Sequence, residues 1–135
     1  MTPEDWPRQF RLTFVSPDSM IFHVVLFRPR PELTAEDRSG LVEALESALQ
    51  QIPSIRRFNV GRRVAHGAGY EPLMPVSLDY GAVIEFDDLA GLKAYLEHPA
   101  HKALGSRFMQ SLDASAIFDY QMQSGEELRR LAGTE

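Results

Sequence analysis

Three side chains in this sequence have the types and spacing to move protons: His23, Tyr95 and His101. His101 stands two residues after Pro99, and proline suits the first position of a helix because the N–H it lacks would find no partner there. His101 then occupies the third helical position, where the partial positive charge of the helix N-terminus disfavours imidazolium. A neutral imidazole is what a general base requires at neutral pH. The ring also falls in line with Leu104, Phe108 and Leu112, spaced three, seven and eleven residues on, so it turns toward the core. A structural role competes with this: a buried histidine bonding back to the open amides of its own first turn.

Tyr95 lies roughly 60° round from Leu92 at about 100° per residue. Its ring would pack on the core while its hydroxyl reaches a cavity mouth, able to hydrogen-bond a carbonyl oxygen as an enolate develops. The alternative is an amphipathic tyrosine at a core edge. His23 interrupts an otherwise apolar stretch, so its nitrogens need partners inside the protein. It would orient His101 or a ligand, or else bond Tyr120 or a backbone group. His98 reads as the N-cap of the His101 helix, and His66, in a glycine-rich loop, as solvated. The chemistry this set fits is proton abstraction next to a carbonyl, with His101 as base, Tyr95 polarising the oxygen and His23 orienting. Positioned acid–base groups of this kind supply about 10²–10⁴-fold.

Other chemistries lack their residues. There is no cysteine, hence no disulfide, no thiolate nucleophile and no cysteine-based zinc site. His98 and His101 form an HxxH pair, but zinc asks for a further ligand, and no metal is expected. Neither GxGxxG nor a P-loop occurs, so no cofactor is expected. A net charge of −5 opposes a phosphate backbone. The arginines at 28, 30, 56, 57, 62 and 63 flank strand-like segments without interleaved aromatic residues and read as a solvated sheet edge, so no nucleic-acid partner is expected. No run approaches the ~18 apolar residues of a membrane span, and the first residues lack a basic-then-apolar leader pattern. No membrane partner is expected, and the cytoplasm is the expected location.

The elements that must position these groups follow from patterning. With 135 residues, 44% of them hydrophobic, the chain has the length and apolar content of one domain. Residues 1–19 are turn-rich yet carry Trp6, Phe10 and Phe14; they read as an arm packing on the domain or its partner, or as a segment ahead of a true start at Met20. Residues 21–27 are apolar on both faces except at His23, the pattern of a strand covered on both sides, ended by Pro29 and Pro31. Thr34, with Asp37 three residues on, caps a helix to Gln51 whose apolar stripe is Leu41, Leu45, Ala48, Leu49 and Ile52. Pro53 stops it.

Residues 55–64 form a second strand with Phe58, Val60, Arg62 and Val64 on one face. A Gly- and Pro-rich loop leads to a third strand over 80–86, with Tyr80, Ala82, Ile84 and Phe86 on one face. Asp87 or Asp88 caps a short helix to Glu97 with Leu89, Leu92 and Leu96 inward. Pro99 begins another helix to about Leu112. Residues 117–122 make a fourth strand, and 124–131 a short helix or frayed tail. The order is βαββαβ, an α+β, ferredoxin-like protomer: a four-stranded antiparallel sheet with helices on one face. The first strand is apolar on its other face too, so a second copy of the sheet is expected to cover it, giving a homodimer through the open sheet face. The domain proper is read as 20–122, with 123–135 as a C-terminal tail.

The segments Met20-Ile-Phe-His23-Val-Val-Leu-Phe, Ile52-Pro-Ser-Ile, Val60-Gly61-Arg, Glu85-Phe-Asp-Asp-Leu, Tyr95-Leu-Glu-His98-Pro-Ala-His101 and Phe118-Asp-Tyr120, in this order, resemble the stress-responsive dimeric α/β-barrel (Dabb) domain family over about residues 20–122. The resemblance implies the ferredoxin-like protomer and a dimer packed sheet to sheet. Many such domains have no assigned reaction. A plant branch, olivetolic acid cyclase, closes a linear polyketide by aldol condensation. Similarity to it implies His101 as acid/base group, Tyr95 as its support and His23 as the strand histidine, while Tyr80 departs from a pocket histidine there. Tyr80, Val25, Phe27, Leu92, Leu104 and Phe108 are expected to line the pocket. Three functions follow as expectations: a stress-responsive dimer binding a small apolar metabolite; a cyclase, lyase or isomerase using His101; and an interaction module using the aromatic arm.

Overall fold

The computed structural model describes residues 19–123 and 125–133, so the arm expected over 1–19 lies, but for Ser19, outside the described residues. The elements are β1 (Ile21–Pro29), α1 (Ala35–Gln51), β2 (Arg57–Arg62), β3 (Tyr80–Phe86), α2 (Leu89–Glu97), α3 (Pro99–Gln110), β4 (Leu112–Gln121) and α4 (Gly125–Gly133). The four strands pair antiparallel in the order β2-β3-β1-β4. This is the ferredoxin-like fold. No described helix is long and apolar enough to cross a membrane.

Strand alternation sorts β1 into two faces. Ile21, His23 and Phe27 are buried beneath the helices, while Phe22, Val24 and Leu26 take the opposite face. The strand runs to Pro29, two residues beyond its apolar run. Its register with β4 shifts between Arg28 and Pro29, where proline has no ladder donor to give. Helix α1 starts with the expected reciprocal cap: Thr34 Oγ1 accepts from the Asp37 amide at 3.0 Å and Asp37 Oδ2 from the Thr34 amide at 3.1 Å. Its stripe of Leu41, Leu45, Ala48 and Leu49 is buried on the sheet.

Four boundaries or faces differ from the sequence pattern. Strand β2 is shorter than 55–64, because its ladder lasts only as far as β3 lies opposite, from Arg57 beside Glu85 to Arg62 beside Tyr80. The loop that follows is organised around Glu71, whose carboxylate accepts from the His66 and Gly67 amides at 2.8 and 2.9 Å, and Gly67 has a φ of 82° that favours glycine. His66 is exposed, as its loop position implies, and its Nε2 lies 3.2 Å from the Tyr70 hydroxyl. In α2, Asp88 is the cap, and Leu92 and Tyr95 face inward while Leu89 and Leu96 are exposed. The helix is turned so that Tyr95 meets Phe86, ring centroids 5.2 Å apart. Finally, α3 ends at Gln110 and β4 begins at Leu112, well before residue 117. The small and polar segment at 113–116 has no apolar run to betray a strand, but its residues 114–116 pair with Leu26, Phe27 and Arg28 of β1.

The core between sheet and helices gathers Ile21, Leu45, Leu49, Ile84, Phe86 and Leu92, with Phe86 and Ile84 fully enclosed. On the other face of the sheet, Phe118 and Tyr120 stand 51% and 52% exposed beside the half-covered Phe22, Val24 and Leu26.

Candidate active site

The β1–β4 register sets His23 directly opposite Asp119, and the His23 Nδ1 lies 2.5 Å from Asp119 Oδ1. Of the alternatives open for His23, neither a bond to Tyr120 nor one to a backbone group is made among the described residues. Tyr120 is the next residue along β4, so its side chain leaves from the far face, beside Phe22. His23 is 5% exposed, which makes an internal partner for its ring obligatory. Asp119 supplies that partner while keeping much of its own carboxylate in solvent.

Between α2 and α3 the chain passes through His98 in an extended conformation, and Pro99 opens the new helix. His98 Nδ1 accepts from the Ala100 amide at 3.0 Å, so this ring is a helix cap. His101, at the third helical position, lies with Nδ1 3.2 Å from the Leu96 carbonyl oxygen. A carbonyl only accepts, so Nδ1 carries the proton and Nε2 carries the lone pair. Neither residual nitrogen, His23 Nε2 or His101 Nε2, has a hydrogen-bond partner among the described residues. The anchor for His101 is therefore a carbonyl of the preceding helix, and not the amides of its own turn. Burial holds its pKa below the ordinary 6.5; the bond to Leu96 pulls the other way, and the neighbouring His23 adds a further downward push. The neutrality inferred from the helix N-terminus thus has desolvation as its main cause.

Tyr95 joins the two histidines. Its ring centroid is 4.4 Å from that of His101 and 5.5 Å from that of His23. Burial, and then the Asp119 carboxylate, push its phenol up to about 12. The group stays a neutral hydrogen-bond donor at any physiological pH, and its hydroxyl has no partner among the described residues.

His23, Tyr95 and His101 line one cavity of about 150 Å³, with Val25, Leu104 and Phe108 among its apolar walls. A second cavity of about 320 Å³ adjoins it, sharing Leu45 and Phe108 as walls, and there Phe27 and Tyr80 lie with their rings stacked 5.6 Å apart. The larger space holds no histidine; Arg38 and Glu46 edge it. The chemistry belongs to the smaller one. Of the nine residues proposed from sequence for catalysis or substrate binding, Leu92 is the one that lines neither space: it is 3% exposed and spent in the core, because its helix packs it onto Phe86 and Ile84. Sequence reasoning did not single out Asp119, the Leu96 carbonyl, Leu45 or Ile117. Asp119 was legible in principle, since Ile117 and Asp119 alternate with Phe118 and Tyr120; a backbone carbonyl leaves no such signal. Among the described residues, no three His, Asp or Glu side chains are placed to hold a metal ion.

Comparison with known proteins matches residues 21–122 to the family described as Stress responsive A/B Barrel Domain. An uncharacterized protein of Streptomyces coelicolor is 30% identical over 104 residues, which is 76% of this chain and 99% of that protein. A dimeric ferredoxin-like protein of unknown function from Jannaschia sp. CCS1 has a TM-score of 0.62 at 26% identity, covering 76% of this chain and 99% of its own. The hydroxynitrile lyase of Passiflora edulis has a TM-score of 0.69 at 11% identity, covering 80% and 97%, a likeness of fold.

Proposed function

We propose, from the premise that the chain belongs to the stress-responsive A/B barrel domain family, that it binds a small, largely apolar carbonyl compound between sheet and helices and moves a proton there, with His101 as the base. One observation carries this reading: an imidazole whose Nδ1–H is anchored on Leu96 and which burial keeps neutral lines the same cavity as a phenol with no hydrogen-bond partner among the described residues. Nε2 of His101 takes the proton from carbon next to the carbonyl. The Tyr95 hydroxyl donates to the oxygen, where negative charge develops in an apolar surround that strengthens the bond. Walls such as Val25, Leu104 and Phe108 select a hydrocarbon body, and the adjoining space beyond Leu45 and Phe108 gives a longer one room to extend. The class of reaction is cofactor-independent enolisation, as in an aldol cyclase, a lyase or an isomerase.

Deuterium incorporation from D₂O next to the carbonyl of 2-octanone, followed by NMR, tests it. The protein is expected to accelerate exchange over buffer, and His101→Ala to remove about 10²-fold or more of that acceleration. Exchange by wild type at the buffer rate, or an unimpaired His101→Ala variant, would overturn the reading.

The open face of the sheet supports a second proposal, that two copies pair through it. Phe118 and Tyr120 are half exposed there next to Phe22, Val24 and Leu26, an apolar surface that association would remove from water. The Jannaschia sp. CCS1 neighbour is described as dimeric. Light scattering at micromolar concentration should give twice the chain mass, and Phe118→Asp should return it to one; a wild-type monomer counts against the pairing.

A further inference from the structure

We infer that His23 is a second proton-transferring group of this site, so that the substrate is an enolisable ketone or aldehyde whose carbon proton goes to His101 while its oxygen receives a proton from His23. The inference rests on the reading of His101 as base and changes the part given to His23, which sequence alone casts as an orienting residue.

Several features of the structure require more of His23 than orientation. It makes no bond to His101; its Nδ1 is occupied by Asp119. Its Nε2 has no partner among the described residues, yet the ring lines the cavity that His101 and Tyr95 line. The two histidines differ in what anchors them. His101 is held by a neutral carbonyl and His23 by a carboxylate. The groups that face His23 are Asp119 from β4, Tyr95 from α2 and His101 from α3, while β3 and α1 contribute only Ala82, Ile84 and Leu45 to this space. One carboxylate, one phenol and two imidazoles therefore share the site, and their natural division is one acid and one base.

Tyr95 is the weaker candidate for the acid's part. A phenol pushed up to about 12 holds its proton more tightly than an ordinary one, so it donates a hydrogen bond without surrendering hydrogen. The other ring on the cavity wall beside His101 and Tyr95 is His23, with its Nδ1 held by Asp119. Asp119 also connects that ring to the outside, since its side chain is 42% exposed. Protons can be replenished by that route while the cavity itself stays apolar.

The step balances without a co-reactant. The C–H bond breaks and its electron pair forms the C=C bond, while the C=O π pair moves to oxygen. Oxygen then bonds the proton from His23 Nε2, leaving that ring neutral and still bonded to Asp119, and His101 leaves the step as imidazolium. Reversal with a deuteron on His101 gives the labelled ketone.

The test uses the same 2-octanone exchange with three variants. His23→Gln keeps a hydrogen-bond donor that cannot give up its proton. It is expected to bind the ketone as wild type does in an NMR titration while exchanging it about 10²-fold more slowly. In His23→Ala, added imidazole should restore a measurable part of the rate. Asp119→Asn, at a position half in solvent, keeps an oxygen acceptor for Nδ1 and should slow exchange roughly tenfold or more with the thermal midpoint kept, because it removes the carboxylate that fixes the orientation of the ring. Wild-type rates in His23→Gln or Asp119→Asn, or a slow His23→Ala that imidazole does not rescue, would overturn the inference. An unimpaired His101→Ala variant would instead strike the reading of the base, and the two failures are read from different proteins.

Discussion

Replacing Tyr95 by phenylalanine removes one oxygen from the cavity wall and leaves the ring packed on Phe86. In the folded protein, burial and the Asp119 carboxylate raise this phenol from the ordinary 10.0 to about 12. Its folded pKa is raised, so the stability it contributes is fully present below pH 10 and is lost as pH rises from 10 toward 12, where the unfolded chain ionises and the folded one does not. At pH 11 the ionised form weights the unfolded state about tenfold, whereas the folded state is still almost wholly protonated. That ratio corresponds to about 1.4 kcal/mol. At pH 9 the same term is close to zero. Tyr95→Phe has no such loss, and all other titrating groups are common to both chains. Urea unfolding of the two proteins at pH 9 and pH 11, extrapolated to water, isolates the term. Wild type should lose about 1.4 kcal/mol relative to the variant between these values. A difference that does not move with pH would mean that the phenol ionises as easily folded as unfolded. It would then not be a donor fixed in an apolar wall beside a carboxylate, and the roles given to Tyr95 and to His23 would both fail.

Three further outcomes are expected. By NMR, His101 should titrate below 6.5, and since its folded pKa is depressed, stability is fully present above 6.5 and declines as pH falls through the folded value; His101→Gln should remove that component of an acid unfolding curve. Thr34→Ala, which removes the Oγ1 half of the α1 cap and keeps the amide that donates to Asp37, should cost about 1 kcal/mol in urea unfolding. Phe86→Ala, emptying a fully enclosed position, should cost about 3–5 kcal/mol, and a loss below 1 kcal/mol would mean that the core there is not closed.

The fold was legible where side chains repeat with a period. The α1 stripe, the β3 alternation and the apolar β1 gave those elements their faces, and Thr34 and Pro53 their ends. It was illegible where an element owes its existence to a neighbour. The start of β4 has no hydrophobic pattern, and only β1 lying alongside makes 113–116 a strand. Leu89 and Leu96 obeyed helical spacing as well as Leu92 does, but the short α2 is oriented by the bulk of Tyr95 against Phe86, a contact across 60-odd degrees of helix that periodicity does not rank. The histidines and Tyr95 stood out as polar groups among apolar neighbours. Their partners did not: Asp119 becomes visible only with the register of two strands 96 residues apart in the chain.

The segment from His98 to His101 shows why the base sits at a helix junction. In a helix running on through residue 99, the Leu96 carbonyl would accept from the Ala100 amide. Proline bars the α conformation for the residue before it, and His98 accordingly lies at φ −65° and ψ 136°. The Ala100 amide is then taken by His98 Nδ1, and Leu96 is left with an open acceptor at the end of α2. His101 closes it. That closure fixes the proton on Nδ1 and the lone pair on Nε2, the tautomer that proton abstraction in the cavity needs. Proline makes the break, the first histidine satisfies the amide the break exposes, and the freed carbonyl orients the second histidine. The local rule that ends one helix and begins the next thus also sets the tautomer of the imidazole at their junction, and it does so on two rigid elements, where a flexible loop would let the ring turn away.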